Sequence, residues 1–385
     1  MGIKCKLSDI CSFRKGKVEV ENLNAKNYIS TENMLPNKCG ITEASSLPTV
    51  SLTQEYNSGD VLVSNIRPYF KKIWQAEYDG GCSNDVLVFV PKPNTDKDFL
   101  YYVLADDDFF TYSMATSKGT KMPRGDKTSI MQYEVPLIDL QVQKKIASVL
   151  KALDERIKLN NEINNNLAEQ SQAIFAEFMC KYPYVLSPLG DMAEIIDCLH
   201  SKKPKAVNGT TYQLLQLNNI TDSGFLDLSS KYYISKSDYE NWTRKCEIVE
   251  GDCVITNVGR IGAVSQAPNG THAAMGRNMT CIRLRNDKPF YSYLITALLS
   301  PHIRREIMKN TDEGTIMGAL NVKNIPLLLF PMFALPTMNA LEDLLSPIRK
   351  AIEQNYLSNQ MLSLLRDSLL PRLMSGELDV SNIEI

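Results

Sequence analysis

Across residues 142–179 the apolar positions fall in alternating steps of four and three: Ile146, Leu150, Leu153, Ile157, then Asn160 and Asn164, then Leu167, Ser171, Ile174 and Phe178. That spacing keeps one narrow face of a helix apolar, and it predicts a single long helix with a coiled-coil seam. The seam returns 195 residues later as Leu341, Leu345, Ile348, Ile352, Asn355, Asn359, Leu362, Arg366, Leu369 and Leu373, with both asparagines in the same places. The stretch 338–374 is therefore a second copy of the helix. A seam asparagine loses solvation unless it meets a polar partner, so it costs stability while fixing register. Both pairs stand near the middle of their helices and can meet whether the helices run parallel or antiparallel. The alternative is that each helix packs on its own globular domain and the asparagines face water. Pro347 lies inside the second seam and predicts a kink there, or a fresh start capped by Ser346.

The duplication extends beyond the helices. Lys6-Leu7-Ser8-Asp9-Ile10 is echoed by Pro188-Leu189-Gly190-Asp191-Met192, each followed by a basic stretch. Tyr28-Ile29-Ser30-Thr31-Glu32-Asn33-Met34 answers Leu214-Leu215-Gln216-Leu217-Asn218-Asn219-Ile220. Gly59-Asp60-Val61-Leu62-Val63-Ser64-Asn65-Ile66-Arg67 matches Gly251-Asp252-Cys253-Val254-Ile255-Thr256-Asn257-Val258, with Arg260 close behind. In both, a Gly-Asp turn opens a β-branched strand that ends in an asparagine and a nearby arginine. Gly119-Thr120-Lys121-Met122 matches Gly314-Thr315-Ile316-Met317, and Pro136 and Pro331 close the extended segments before each long helix. Short strands such as 86–90 and 281–284 alternate with helical patterns at 98–112 and 289–309, so each globular unit is a mixed α/β domain. The expected layout is a first domain at 1–140, a central helix at 141–180, a second domain at 181–335 opening on a linker at 181–188, and a C-terminal helix and tail at 336–385.

Composition narrows the class of function. The nine cysteines are scattered, odd in number and without a C-x-x-C pair, which argues against a zinc site or a disulfide framework. His200, His272 and His302 lack the spacing of paired metal ligands, so no metal is expected. No basic-apolar leader and no apolar run of about 18 residues is seen, which makes the cytoplasm the default and membrane insertion unsupported. No G-x-G, no G-x-x-x-x-G-K phosphate loop, no Asn-Pro-Pro or Asp-Pro-Pro clamp and no E-x-K triplet occurs. No catalytic residue can be assigned.

What remains is basic and amide chemistry repeated in both copies. The net charge is only −2, so nucleic-acid binding would have to come from local patches. In the first unit these are Arg14, Lys15 and Lys17; Asn65, Arg67, Tyr69, Lys71 and Lys72; and Lys118, Thr120, Lys121, Arg124 and Lys127. In the second they are Lys202, Lys203 and Lys205; Asn257 and Arg260; Arg277 and Asn278; and Thr315. Lysine and arginine neutralise phosphates, while arginine and asparagine also read base edges. A solvated surface accounts for any one of these runs; their recurrence points to DNA.

The duplicated layout, the Gly-Asp strand openings, the Gly-Thr-x-Met segments, the seam helices and the tail Leu365-Arg366-Asp367-Ser368-Leu369-Leu370-Pro371-Arg372-Leu373-Met374-Ser375-Gly376-Glu377 together resemble the specificity subunit of a type I restriction-modification system. The resemblance implies two target-recognition domains in tandem, each reading half of a split double-stranded DNA site, held apart by the two helices paired as an antiparallel coiled coil with pseudo-twofold symmetry. It also implies two docked modification methyltransferase subunits and a restriction motor-nuclease, with S-adenosylmethionine, ATP and Mg2+ bound by those partners and no cofactor on this chain. A helix of about 36 residues is about 54 Å long, which would place the half-sites on the order of one to one and a half turns apart. Because the two domains share only short motifs, the expected target is asymmetric. A self-contained DNA-modifying or DNA-cleaving enzyme, or a non-DNA scaffold, are the competing readings.

Overall fold

The computed structural model describes residues 3–119, 121–222, 224–285, 289–312 and 318–380. Thr120 and Thr315 lie outside the described residues, as does the whole of the second Gly-Thr-x-Met segment. The chain forms two compact units, 1–157 with 361–385, and 158–360. Each unit takes in half of each long helix. The helices are continuous over Leu140–Lys181 and Leu335–Met374.

The first unit is built on an antiparallel sheet in which Val86–Pro91 lies between Cys11–Phe13 and Val61–Ser64, with Ile73–Gln75 on the outer side of the latter. A second sheet carries Lys17–Glu19, Leu52–Tyr56, Gly80–Cys82 and Tyr28–Ile29 in that order, the last pair parallel. Val61–Ser64 is buried along its whole length, because its alternate side chains face different cores. Val61 and Val63 meet the helices Lys97–Ala105 and Asp107–Ala115, while Leu62 joins Ile29, Met34 and Tyr56. This is why the strand reads as an unbroken β-branched and apolar run. Ile146, Ala147 and Leu150 from the central helix and Leu370, Leu373 and Met374 from the C-terminal helix complete the first of these cores.

The second unit repeats the plan. Met279–Leu284 lies between Ala193–Asp197 and Cys253–Thr256, with Val264–Gln266 outermost, and Gln213–Leu214, His272–Ala274 and Glu247–Val249 form the second sheet. Here the central helix supplies its C-terminal half, Phe175 and Phe178, and the C-terminal helix its N-terminal half, Met338, Leu341 and Leu345. The stretch expected to be a linker is a strand over Tyr184–Pro188, paired antiparallel with Leu329–Phe333, and Tyr184 packs on Phe333 with ring centroids 5.7 Å apart.

The asparagines meet inside the second unit. Asn160 Nδ2 donates to Asn359 Oδ1 at 2.8 Å and Asn355 Nδ2 donates to Asn164 Oδ1 at 2.9 Å. Residue numbers rise along one helix as they fall along the other, so the helices run antiparallel. Asn160 is 1% exposed, which excludes the water-facing alternative. In the first unit Arg366, which occupies a seam position, reaches Asp154 at 2.7 Å. Of the two expectations at Pro347 the fresh start capped by Ser346 is corrected: the helix is continuous through it. Leu345 and Ile352 are buried on either side, and Arg349 is anchored by hydrogen bonds to Gly224 O and Gln266 Oε1, so packing outweighs one missing amide. Among the described residues no helix is long and apolar enough to cross a membrane.

Candidate nucleic-acid interface

The Gly-Asp turns explain their own sequence. Gly59 and Gly251 have φ of +93° and +85°, a region that costs any residue with a Cβ. The following aspartates are buried and fold back on the turn: Asp60 accepts from the Asn57 amide and Asp252 from the Val249 amide, both at 2.9 Å. Each carboxylate is also gripped by an arginine. Arg14 Nε lies 2.5 Å from Asp60, and Arg283 Nε lies 2.8 Å from Asp252. The carboxylate raises the affinity of each guanidinium for its proton. Arg14, a candidate DNA contact by sequence, is thus a partner of a structural carboxylate; it stands just past the strand Cys11–Phe13, whereas the second copy draws its arginine from within the strand Met279–Leu284.

The asparagines that end these strands are also structural. The amide of Asn65 donates to Asp85 O and its carbonyl accepts from Gly125, while Asn257 makes the matching bonds to Asn278 O and from Leu320. Asn257 is buried, and its side chain accepts from Thr280 Oγ1 at 3.0 Å and donates to Leu320 O at 3.2 Å. Arg67 sits at φ +50° with its Nε buried and unpartnered. Tyr69 is exposed and packs on Phe70 at 4.6 Å. Lys71 shares Asp107 with Lys38 at 2.7 and 2.9 Å; burial would raise the Asp107 carboxyl, but the two lysines outweigh it and hold it below its ordinary value. Lys72 donates to Thr31 O at 2.6 Å, and burial lowers its pKa. Lys118 pairs with Asp126 and holds that carboxyl down to about 2. Arg260 bridges Ile220 O and Asp222. Lys15, Lys17, Lys121, Lys202, Lys203, Lys205, Arg277 and Asn278 are exposed.

One groove recurs at the same place in both units. In the first it measures about 530 Å³ and is lined by Ser30, Glu32, Glu43, Ser83, Asp85 and Arg124 among others. In the second it measures about 400 Å³ and includes Lys203, Gln216, Asn218, Trp242, Arg277 and Asn278. The correspondence follows from pairing. Tyr28 pairs with Gly81 and Leu214 with Ala274 in the two parallel ladders, which sets Ser30–Glu32 opposite Gln216–Asn218 in the comparison, and Ser83–Asp85 opposite Gly276–Asn278. The wall is shaped by one device in both copies. Asn33 Oδ1 accepts from the Ser30 amide and Asn219 Oδ1 from the Gln216 amide, both at 2.6 Å, while their amide groups donate to carbonyls across the loop.

Lining chemistry differs where architecture agrees. The first groove is acidic and hydroxylic, with Arg124 standing 3.3 Å from Asp85. The second carries Arg277, Asn278 and Lys203, whose ammonium lies 3.9 Å above the Tyr232 ring. Of the residues singled out by charge, Arg124, Lys203, Arg277 and Asn278 come together in the grooves. Ser30, Glu32, Gln216, Asn218 and Trp242 were missed, although most of them belong to the second repeated motif, because that motif carries no lysine or arginine and the candidate runs were gathered around those cations.

The family profile described as "Type I restriction modification DNA specificity domain" matches residues 4–169. The specificity subunit of the type I restriction enzyme HindI of Haemophilus influenzae is 27% identical over 164 residues, 40% of this chain and 36% of that protein. The EcoDI specificity subunit of Escherichia coli is 26% identical over 150 residues, 37% of this chain and 33% of that protein. These alignments span about a third of either relative. The crystal structure of a type I restriction-modification S subunit from M. genitalium superimposes with a TM-score of 0.54 over 97% of this chain and 96% of that one, at 14% identity. Residues 4–169 are therefore similar to the type I restriction modification DNA specificity domain, and the chain as a whole has the fold of the M. genitalium S subunit.

Proposed function

We propose that this chain is the non-catalytic DNA-recognition subunit of a type I restriction-modification complex in the cytoplasm. Each unit reads one half of a split, asymmetric double-stranded target through its groove. Two modification methyltransferase subunits and the restriction motor-nuclease supply the chemistry, with S-adenosylmethionine, ATP and Mg2+ on those partners. The observation that carries this reading is the recurrence of one groove at one place in two copies of a domain, with different side chains lining it. Conserved architecture with divergent lining suits two readers of two different base sequences. In the second groove Arg277 and Asn278 can make paired hydrogen bonds to guanine and adenine edges, and Lys203 suits phosphate. In the first, Glu32, Glu43 and Asp85 can accept from cytosine amino groups, and Ser30 and Arg124 add donors.

Selection from a random duplex library by the chain together with its methyltransferase partner tests this. One bipartite motif with unlike halves is expected, bound more weakly as salt rises. Methyl transfer or cleavage by the chain alone with S-adenosylmethionine and Mg2+, or the absence of salt-sensitive duplex binding, would refute it.

A further inference from the structure

Asp197, Cys198 and His200 bring three kinds of metal donor atom within 4.8 Å of one another. Asp197 ends the strand Ala193–Asp197, and the other two stand on the loop that leaves it. One Asp197 oxygen lies 2.8 Å from His200 Nε2. The other is fully buried and has no N–H or O–H partner, with the Cys198 thiol against the same carboxylate. The backbone amides of Asn278 and Met279 stand beside the Cys198 sulfur and favour its thiolate, although burial outweighs them and raises the thiol pKa. His200 is two-thirds exposed, with 67% of its side chain accessible, so an ion can enter and a fourth position faces solvent.

The geometry suits a tetrahedral ion. Bonds of about 2.0 Å from oxygen and nitrogen and about 2.3 Å from sulfur hold ligand atoms roughly 3.4 Å apart. The aspartate and histidine are now as close as a shared proton allows, and replacing that proton with a cation needs only small side-chain rotations. A second group, Cys246, Asp252 and Cys281, is equally tight, but Asp252 is already held by Arg283 and the Val249 amide, and all three residues are buried.

We propose that Asp197, Cys198 and His200 form a site for a zinc-class divalent cation, with solvent as fourth ligand. Lacking a C-x-x-C or paired-histidine spacing, the D-C-x-H run escapes the usual sequence filters. The site joins the start of the basic loop to Asn278 and Met279 beside the second groove, so the bound ion pins the loop that carries Lys202, Lys203 and Lys205. It stands whether or not the groove reads DNA.

Cobalt titration of the reduced full-length chain, followed by optical absorption, tests the site. One Co2+ per chain with a thiolate-to-cobalt charge-transfer band, displaced by Zn2+, is expected. Cys198→Ser removes the band. His200→Ala, at an exposed position that leaves folding intact, weakens binding on the order of ten-fold or more, since loss of even an outer partner costs that much. Zinc slows backbone hydrogen exchange across residues 199–207 in the parent and not in the variants. No charge-transfer band, a band that persists in Cys198→Ser, or equal affinity in His200→Ala overturns the site; unchanged exchange overturns the pinning.

Discussion

Asp252→Ala should unfold the second unit far more readily than its position on a surface turn suggests. The carboxylate is 3% exposed and accepts from the Val249 amide at 2.9 Å and from Arg283 Nε and Nη2 at 2.8 and 2.5 Å. Truncation leaves the Val249 amide without its partner. Arg283 keeps only its bond to Glu247 O, at 2.6 Å. Breaking a buried pair from one side costs roughly 3–5 kcal/mol; Arg283 is 31% exposed, which places the loss near the lower end, about 3 kcal/mol. Asp252→Ala with Arg283→Met removes both charges, so the double variant should lose roughly 1–2 kcal/mol less than the two singles added together. The chain contains only two tryptophans, Trp74 in the first unit and buried Trp242 in the second. In a Trp74→Phe background, Trp242 fluorescence during urea unfolding follows the second unit alone, which matters because two units need not unfold together. A loss under about 1 kcal/mol, or additive singles, would show that the Gly-Asp turn is held by its backbone and not by the aspartate.

Other consequences are independent of this one. Asn160→Leu with Asn359→Leu should leave stability unchanged or raise it by about 1 kcal/mol, since a buried and a half-buried amide are replaced by apolar packing, whereas Asn160→Leu alone should lower it; equal effects in thermal melts would sink the seam argument. Arg349 lies 3.3 Å above the Phe225 ring and donates to Gly224 O at 2.6 Å, so Arg349→Ala should cost about 2–4 kcal/mol in the Trp242 transition, and a loss below that range would mean the contact is idle. The Lys118–Asp126 pair has a depressed carboxyl pKa, so its contribution is complete above the ordinary carboxylate value and disappears as pH falls through about 2. Carboxyl NMR should show Asp126 titrating higher in Lys118→Met than in the parent, yet still below its ordinary value, because the Ser129 amide goes on donating to it. On the proposed function, Arg277→Ala should relax base preference in one half-site by about 1–3 kcal/mol, while Arg14→Ala should act on stability and leave base preference alone; the reverse pattern in binding assays would reassign both.

Periodicity carried much of the architecture. Apolar spacing located both long helices to within a few residues and exposed the repeat, because a seam shows its period in one dimension. The mixed α/β class followed for the same reason, from strands and helices alternating in matched order. Interruptions were harder to judge. Pro347 reads locally as a break, but Leu345, Ile352 and Arg349 hold the helix through it, and the segment 181–188 reads as a linker until its partner strand, more than 140 residues away, is in place.

The identities of the charged and amide residues were legible from the chain, but their occupations were not. Arg14 and Asn257 look like DNA contacts in a list of residues; in space one holds Asp60 and the other ties a loop to Leu320. Conversely, Ser30, Gln216 and Asn218 carry no charge to attract notice, and they line the recurring grooves. Local sequence encodes turn chemistry, helix period and duplication, since those depend on neighbours a few residues apart. Which cation is already paired, which asparagine is buried, and where a groove opens depend on contacts between distant segments, and only the folded chain brings those together.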